Sequence, residues 1–290
     1  MGLRVLRGLL SALMLFALDA GPAIAAAPDG GRAGGATLTV FAAASLRDVF
    51  GDLGSTFERA HPGVKAQFNF GGSQELRTQL EQGAPADVFA SAEAKYMDAA
   101  HRAGLVDAPM LFATNAPVVV VPADNPAKVK SLADLTTVKR LVIGTSEVPI
   151  GAYTLQILDK ARSRYGADFP ERVQARVASR EFTVRQVLAK VSLGEADAGI
   201  VYRTDALGAG DKVRIVEIPA EFNVVADYPI ATVIRAPNAE LARAWVALVT
   251  GPTGQVALER AGYGTIERHP WHRHSLRAEG GLCDPHVVSC

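Results

Sequence analysis

The residues best suited to chemistry are small hydroxyls and glycines placed where a strand runs into a helix. Phe41-Ala42-Ala43-Ala44-Ser45 is the first such place, with Ser45 suited to an N-cap and Asp48 three residues on. Phe70-Gly71-Gly72-Ser73 repeats the design, and its glycines allow a ligand close to the backbone. Val148-Pro149-Ile150-Gly151 leads into a third helix, and Thr183-Val184-Arg185-Gln186 fits a capping box opening a fourth. A helix start offers unpaired N–H groups and the positive end of the macrodipole, which together suit an anion. Four such starts around one point would surround a small oxyanion, each hydrogen bond to the charge being worth roughly 1.5–3 kcal/mol. Each Ser or Thr has a second, local role as the cap of its own helix. The sequence alone leaves both roles open, because it does not show that the four ends meet.

Catalytic signatures are absent. There is no G-x-S-x-G elbow, H-E-x-x-H, P-loop or G-x-G-x-x-G. His61 and His101 fall near helix ends, and no carboxylate pair stands apart from ordinary surface charge. These features favour a binding protein over an enzyme and call for no cofactor. Lys+Arg and Asp+Glu both total 30, so the formal net charge is zero. Nucleic-acid and membrane-surface binders carry a basic excess that is missing here.

The elements that must position these residues alternate. Thr37–Ala42, Val64–Phe70, Asp87–Ala90, Pro117–Val121, Arg140–Gly144, Ala198–Tyr202, Val213–Ile218 and Ile230–Ile234 read as strands, several of them continuous apolar runs. Between them, Ser45–Ala60 sets Leu46, Val49, Phe50, Leu53 and Phe57 at helical spacing. Further helices are expected over Ser73–Gln82, Glu93–Ala103, Gly151–Tyr165, Val184–Leu193, Ala239–Thr250 and Gly254–Ala261. The alternation implies an α/β architecture with mostly parallel sheet. At 290 residues, 49% hydrophobic and 21% charged, the chain can build a core without disulfides.

The two ends read differently. Arg4 and Arg7 precede an apolar stretch from Leu9 to Leu18, and Ala23-Ile24-Ala25 is a small-x-small cleavage site. Residues 1–25 are therefore expected to be a signal peptide, followed by a flexible leader over 26–36. No other segment is apolar and long enough to span a bilayer. Residues 267–290 hold His269, His272, His274, His286 and both cysteines, Cys283 and Cys290. Their spacing does not match a zinc motif, and their Pro, Gly and polar content favours a disordered tail. A metal-handling protein working through that tail is the alternative of a different class.

Six segments, in order, carry a resemblance: Phe41–Leu46, Gly83–Ala92, Val148–Thr154, Gly194–Ala206, Asp227–Ala231 and Ala261–Thr265. Together they resemble the periplasmic molybdate-binding proteins of ABC importers. The resemblance implies a type II periplasmic-binding-protein fold, with two α/β lobes, a hinge and a ligand cleft between the lobes. It places lobe 1 at 37–116 plus 228–266 and lobe 2 at 117–227. It implies molybdate, and tungstate with it, as ligand of a monomer that serves a membrane permease in the periplasm. Carried over by motif, the oxyanion donors are Ser45, Ser73, Ile150, Val184 and Tyr202, with Ile150 and Val184 acting through their backbone N–H and no cationic metal bound. The third loop departs from the family pattern. Thr145-Ser146 stands in place of Asp-Pro, Ile150 in place of Ala, and the loop is one residue shorter. Gly71, Gly72 and Gln74 stand where the family often has Ser. Sulfate or another tetrahedral oxyanion is the alternative ligand within the class.

Overall fold

The computed structural model describes residues 35–265. The signal peptide, most of the leader and the His/Cys tail expected from the sequence lie outside the described residues. The chain begins with β1 (Thr37–Ala43), a short 3-10 turn over Ala44–Leu46, α1 (Arg47–Ala60), β2 (Lys65–Gly71), α2 (Ser73–Glu81), β3 (Val88–Ala90), α3 (Ala94–Arg102) and β4 (Met110–Asn115). It then passes through β5 (Pro117–Pro122), β6 (Leu141–Gly144), α4 (Pro149–Lys160), α5 (Arg162–Tyr165), α6 (Phe169–Gln174) and β7 (Val177–Glu181). Next come α7 (Val184–Ser192), β8 (Ala198–Tyr202), α8 (Arg203–Gly208) and β9 (Val213–Val216). It closes with β10 (Ala226–Thr232), α9 (Ala239–Thr250), α10 (Pro252–Arg260) and β11 (Gly264–Thr265).

The strands form two sheets, ordered β11-β4-β10-β3-β1-β2 and β7-β6-β8-β5-β9. This is a two-lobed α/β fold in which the chain leaves the first sheet after β4 and returns to it at β10. The expectation of mostly parallel pairing is corrected. β1 runs parallel to β2 and β3, and β6 parallel to β7 and β8. β10, β11 and β5 pair antiparallel with their neighbours. The reason is connectivity. Strands joined through helices within a lobe run parallel, whereas the strands that enter or re-enter a lobe are free of that crossover constraint.

Burial follows the pattern that built the elements. All six residues of β5 and all five of β8 are buried, as strands covered on both faces require. α1 buries Val49, Phe50, Leu53, Gly54 and Phe57 on one side. Phe50 and Phe57 meet the fully buried Trp245 of α9 edge to face, at centroid distances of 5.3 and 5.6 Å. The expected strand over Ile230–Ile234 is instead β10, starting at Ala226. The expected helix over Gly151–Tyr165 is broken at Ala161 into α4 and α5.

Two buried aspartates within the family-like segments have structural roles. Asp87 accepts the backbone N–H groups of Thr39 (2.8 Å) and Asn238 (2.6 Å), tying β1 to the start of α9. Asp197 accepts from the N–H groups of Lys139 and Arg140, both at 2.9 Å, and so anchors the entry to β6. These two carboxylates therefore serve the fold, holding strand and helix entries by accepting backbone N–H groups.

Candidate functional site

A small cavity lies between the two sheets. It is lined by Ala43, Ala44, Ser45, Gly71, Gly72 and Ala92 from the first lobe and by Val148, Pro149, Ile150, Thr183, Val184 and Tyr202 from the second. The four helix starts singled out in the sequence therefore meet. Of the five expected donors, Ser45, Ile150, Val184 and Tyr202 line the cavity directly. Ser73 lies one residue beyond Gly72, and its Oγ accepts a hydrogen bond from Ala92 N at 3.0 Å. The open space is about 20 Å3, little more than the ~10–15 Å3 that one enclosed water needs. The cavity is small and suits a compact ligand.

The expectation that Ser45 caps the first helix is corrected. The 3-10 turn has Ala43 as its N-cap, α1 has Leu46, and neither makes a side-chain capping bond. Ser45 Oγ lies 2.9 Å from Tyr228 Oη, and its backbone oxygen accepts from Tyr263 Oη at 2.8 Å. Two tyrosines from distant parts of the chain thus hold Ser45, and its hydroxyl is turned away from helix duty. With Tyr228 donating, the serine proton is left for a ligand. Ser73, which follows the N-cap Gly72, makes no side-chain cap either. Receiving the Ala92 N–H leaves its own proton free in the same way.

Thr183 behaves as the sequence predicts. Its Oγ1 accepts from Gln186 N (3.3 Å), while Gln186 Oε1 accepts from Thr183 N (3.0 Å). The capping box occupies the N–H groups of 183 and 186 and sets Val184 at the first position of α7, where no intrahelical acceptor exists for its N–H. α7 reaches this position because Gly199 of β8 has no side chain. A β-carbon there would meet Val187 Cγ1 at 2.9 Å and Val191 Cγ2 at 3.0 Å.

α4 starts with Val148 as N-cap and Pro149 in its first turn, a position that needs no N–H. Gly151 lets the turn settle on the end of β6, since a β-carbon there would fall 1.9 Å from the Thr145 carbonyl oxygen. Ile150 is fully buried, and its Cγ2 faces Gly144, where a β-carbon would stand 3.0 Å away. The branched side chain packs back toward β6, leaving the backbone N–H as the polar group Ile150 offers. Glu147, in the departing loop, is exposed, and Ser146 Oγ donates to its carboxylate at 2.7 Å.

Tyr202 completes the wall. It is buried, and its hydroxyl has no hydrogen-bond partner. A buried hydroxyl without a partner costs ~1–3 kcal/mol, so the site holds one unmet donor beside a cavity. Tyr202 sits in an edge-to-face row with Tyr153, Tyr228 and Tyr263, whose successive centroids are 6.5, 5.8 and 5.5 Å apart. Burial raises the hydroxyl pKa of Tyr202 and Tyr228 well above the ordinary tyrosine value, so both remain neutral. No lining residue is Lys, Arg, His, Asp or Glu. The wall thus offers neutral donors and helix-dipole charge to a small anion. Among the described residues no cluster of His, Cys, Asp or Glu could hold a metal ion.

Sequence reasoning missed Tyr228, Tyr263 and Arg185. Both tyrosines sit inside family-like segments, Asp227–Ala231 and Ala261–Thr265, but nothing local to either segment names Ser45 as partner. Arg185 stood inside the capping-box motif as an unremarked position.

Residues 38–264 match a family model described as bacterial extracellular solute-binding protein. The chain is 41% identical over 260 residues to the molybdate-binding protein ModA of Mycobacterium tuberculosis, a match spanning 88% of this chain and 96% of that protein. Two solved structures share the fold. The periplasmic molybdate-binding protein of Azotobacter vinelandii superposes with a TM-score of 0.66 at 20% identity, covering 78% of this chain and 98% of that one. The sulfate-binding protein SubI of M. tuberculosis superposes with a TM-score of 0.71 at 19% identity, covering 85% and 92%.

Proposed function

The chain belongs to the bacterial extracellular solute-binding proteins, and from that premise we propose that it captures molybdate, and tungstate with it, for an ABC importer. The observation that carries this reading is the meeting of four helix starts around a cavity walled by neutral groups, with the Tyr202 hydroxyl left without a partner. Ser45, Ser73 and Tyr202 donate through hydroxyls, and Ile150 and Val184 through backbone N–H. Helix-start amides and hydroxyls together offset the dehydration of a dianion without a cationic side chain.

The reading extends to how the protein works. The lobes, 37–116 with 228–266 and 117–227, close on the anion about the two connections between them, after β4 and before β10. The closed form is presented to the membrane permease, and the protein acts as a monomer with no chemical step of its own. Residues 1–25 direct export and are removed, so the mature protein works in the periplasm. No helix among the described residues is long and apolar enough to cross a membrane.

Isothermal titration of the mature protein with molybdate, tungstate and sulfate tests the proposal. One-to-one binding of molybdate and tungstate in mutual competition, with sulfate far weaker, is the expected result. No heat with molybdate at any concentration refutes it, and tighter binding of sulfate shifts the ligand to the smaller anion.

A further inference from the structure

Three of the polar contacts that join the lobes lie beside residues lining the cavity. Gln74 Nε2 donates to the Phe182 carbonyl at 3.3 Å, and Tyr96 Oη donates to the Glu147 carbonyl. The third is ionic. Arg185, in the first turn of α7, donates from Nη2 to Asp48 Oδ2 at 2.5 Å and from Nε to the Ala44 carbonyl at 3.4 Å. The same Nε stands 3.1 Å from Oδ1 of Asp205, a carboxylate with no exposed surface. Ala44 and Asp48 flank Ser45 on the first lobe, and Arg185 adjoins Val184 on the second. The guanidinium therefore spans the cleft between two walls of the site without lining the cavity itself.

We propose that Arg185 is a positioning residue that latches the closed cleft, fastening the first turn of α7 to the Ala44–Asp48 turn once the anion is in place. The proposal rests on the oxyanion reading above. α7 packs against α8, so Arg185 keeps Asp205 as a partner whether the cleft is open or closed. Asp205 holds the guanidinium aimed across the cleft. Asp48 and the Ala44 carbonyl, which lie on the opposite lobe, are engaged only on closure. The latch thus acts on release of the anion, because anion escape requires the crossing to break, whereas capture by the open cleft does not.

Asp48 separates this role from simple charge. Asp48 is a mostly exposed carboxylate near an anion site. By Coulomb's law alone, Asp48→Asn removes a repelling charge and frees Arg185 to attract the anion, so binding tightens. The latch requires the opposite sign. The test measures release of radiolabelled molybdate into excess unlabelled molybdate, together with the association rate, for the unaltered protein and for Asp48→Asn, Arg185→Lys and the double variant. Release should quicken about three- to tenfold in each single variant, as loss of a partly exposed, charge-assisted contact implies, with association no slower. The double variant should release no faster than Arg185→Lys, because both changes remove one bridge. Asp48 is exposed, so its variant folds even if changes at the buried Arg185–Asp205 pair disturb the protein. Unchanged or slower release from Asp48→Asn, with normal binding by the unaltered protein, overturns the latch alone. No molybdate binding by the unaltered protein overturns the ligand reading, and the latch with it.

Discussion

Tyr202→Phe separates a ligand donor from a core tyrosine by the sign of two effects. The change removes one oxygen and keeps the ring, with its edge-to-face contacts to Tyr153 and Tyr228. In the structure that oxygen has no hydrogen-bond partner. Its loss therefore leaves nothing unpaired, and it relieves up to ~1–3 kcal/mol of buried, unsatisfied polarity. At the size of this domain each kcal/mol moves the melting temperature by roughly 2–4 °C, so the unliganded variant should melt no lower than the parent. Binding should move the other way. A hydrogen bond to a charged ligand is worth ~1.5–3 kcal/mol, which corresponds to a roughly ten- to 150-fold loss of affinity. Calorimetric titration reads the affinity, and scanning calorimetry with and without molybdate reads the stability. The ligand-induced rise in melting temperature should shrink in step with the lost affinity. Unchanged affinity, or a lower melting temperature without ligand, refutes the assignment of Tyr202 as a donor.

Two further outcomes follow from geometry and charge. Gly151→Ala sets a β-carbon on the Thr145 carbonyl and must push the first turn of α4 off β6. Overpacking of this kind costs ~1–3 kcal/mol of stability, and molybdate affinity should fall at least about tenfold as the Ile150 N–H is displaced; titration and thermal melts check both, and full affinity refutes the role given to that turn. Burial pushes the Asp205 carboxyl up to about 7 against the lowering pull of Arg185. The native state then keeps a proton that the unfolded chain, with an ordinary Asp pKa of about 4, has already lost. Stability from this group is therefore greatest below pH ~4 and declines as pH rises to ~7. Urea unfolding across that range should show the decline in the parent relative to Asp205→Asn, and parallel curves refute the raised pKa.

Local rules made much of this fold legible. The apolar spacing of α1, the bounds of α9, the strand Ala198–Tyr202 and the Thr183 capping box all depend on residues within a few positions of one another. What stayed hidden depends on distance along the chain. β7 carries Arg180 and Glu181 and is an edge strand, so its sequence lacks the buried run that marks β5 and β8. α8 follows β8 with no intervening loop, which removes the turn residues that usually announce a helix. Ser45 is the clearest case. Local preference assigns it a cap, but Tyr228, 183 residues later, holds its hydroxyl instead. Four helix starts of the candidate site were readable from strand-to-helix junctions, while the five donor positions, Tyr202 among them, came from the family resemblance. The groups that orient those positions were not readable, since Tyr228, Tyr263 and Arg185 act through tertiary contacts alone.

The placement of the crossing contacts ties ligand binding to closure by construction. Ala44 precedes Ser45, Gln74 follows Ser73, and Arg185 follows Val184. Glu147 stands at the head of the turn that carries Ile150. Each of these contacts is therefore made within three residues of a proposed donor. A shift of α7 or of the α4 turn that breaks a crossing contact also withdraws a backbone N–H from the cavity. On the proposed donor set neither lobe alone encloses a small anion, because the cavity lining is divided between the two. With no charged residue in the lining, one half-site has little hold on a dianion that water already solvates well. Strong binding then requires both halves at once, so on the proposed reading the closed form, and not the open one, carries the ligand.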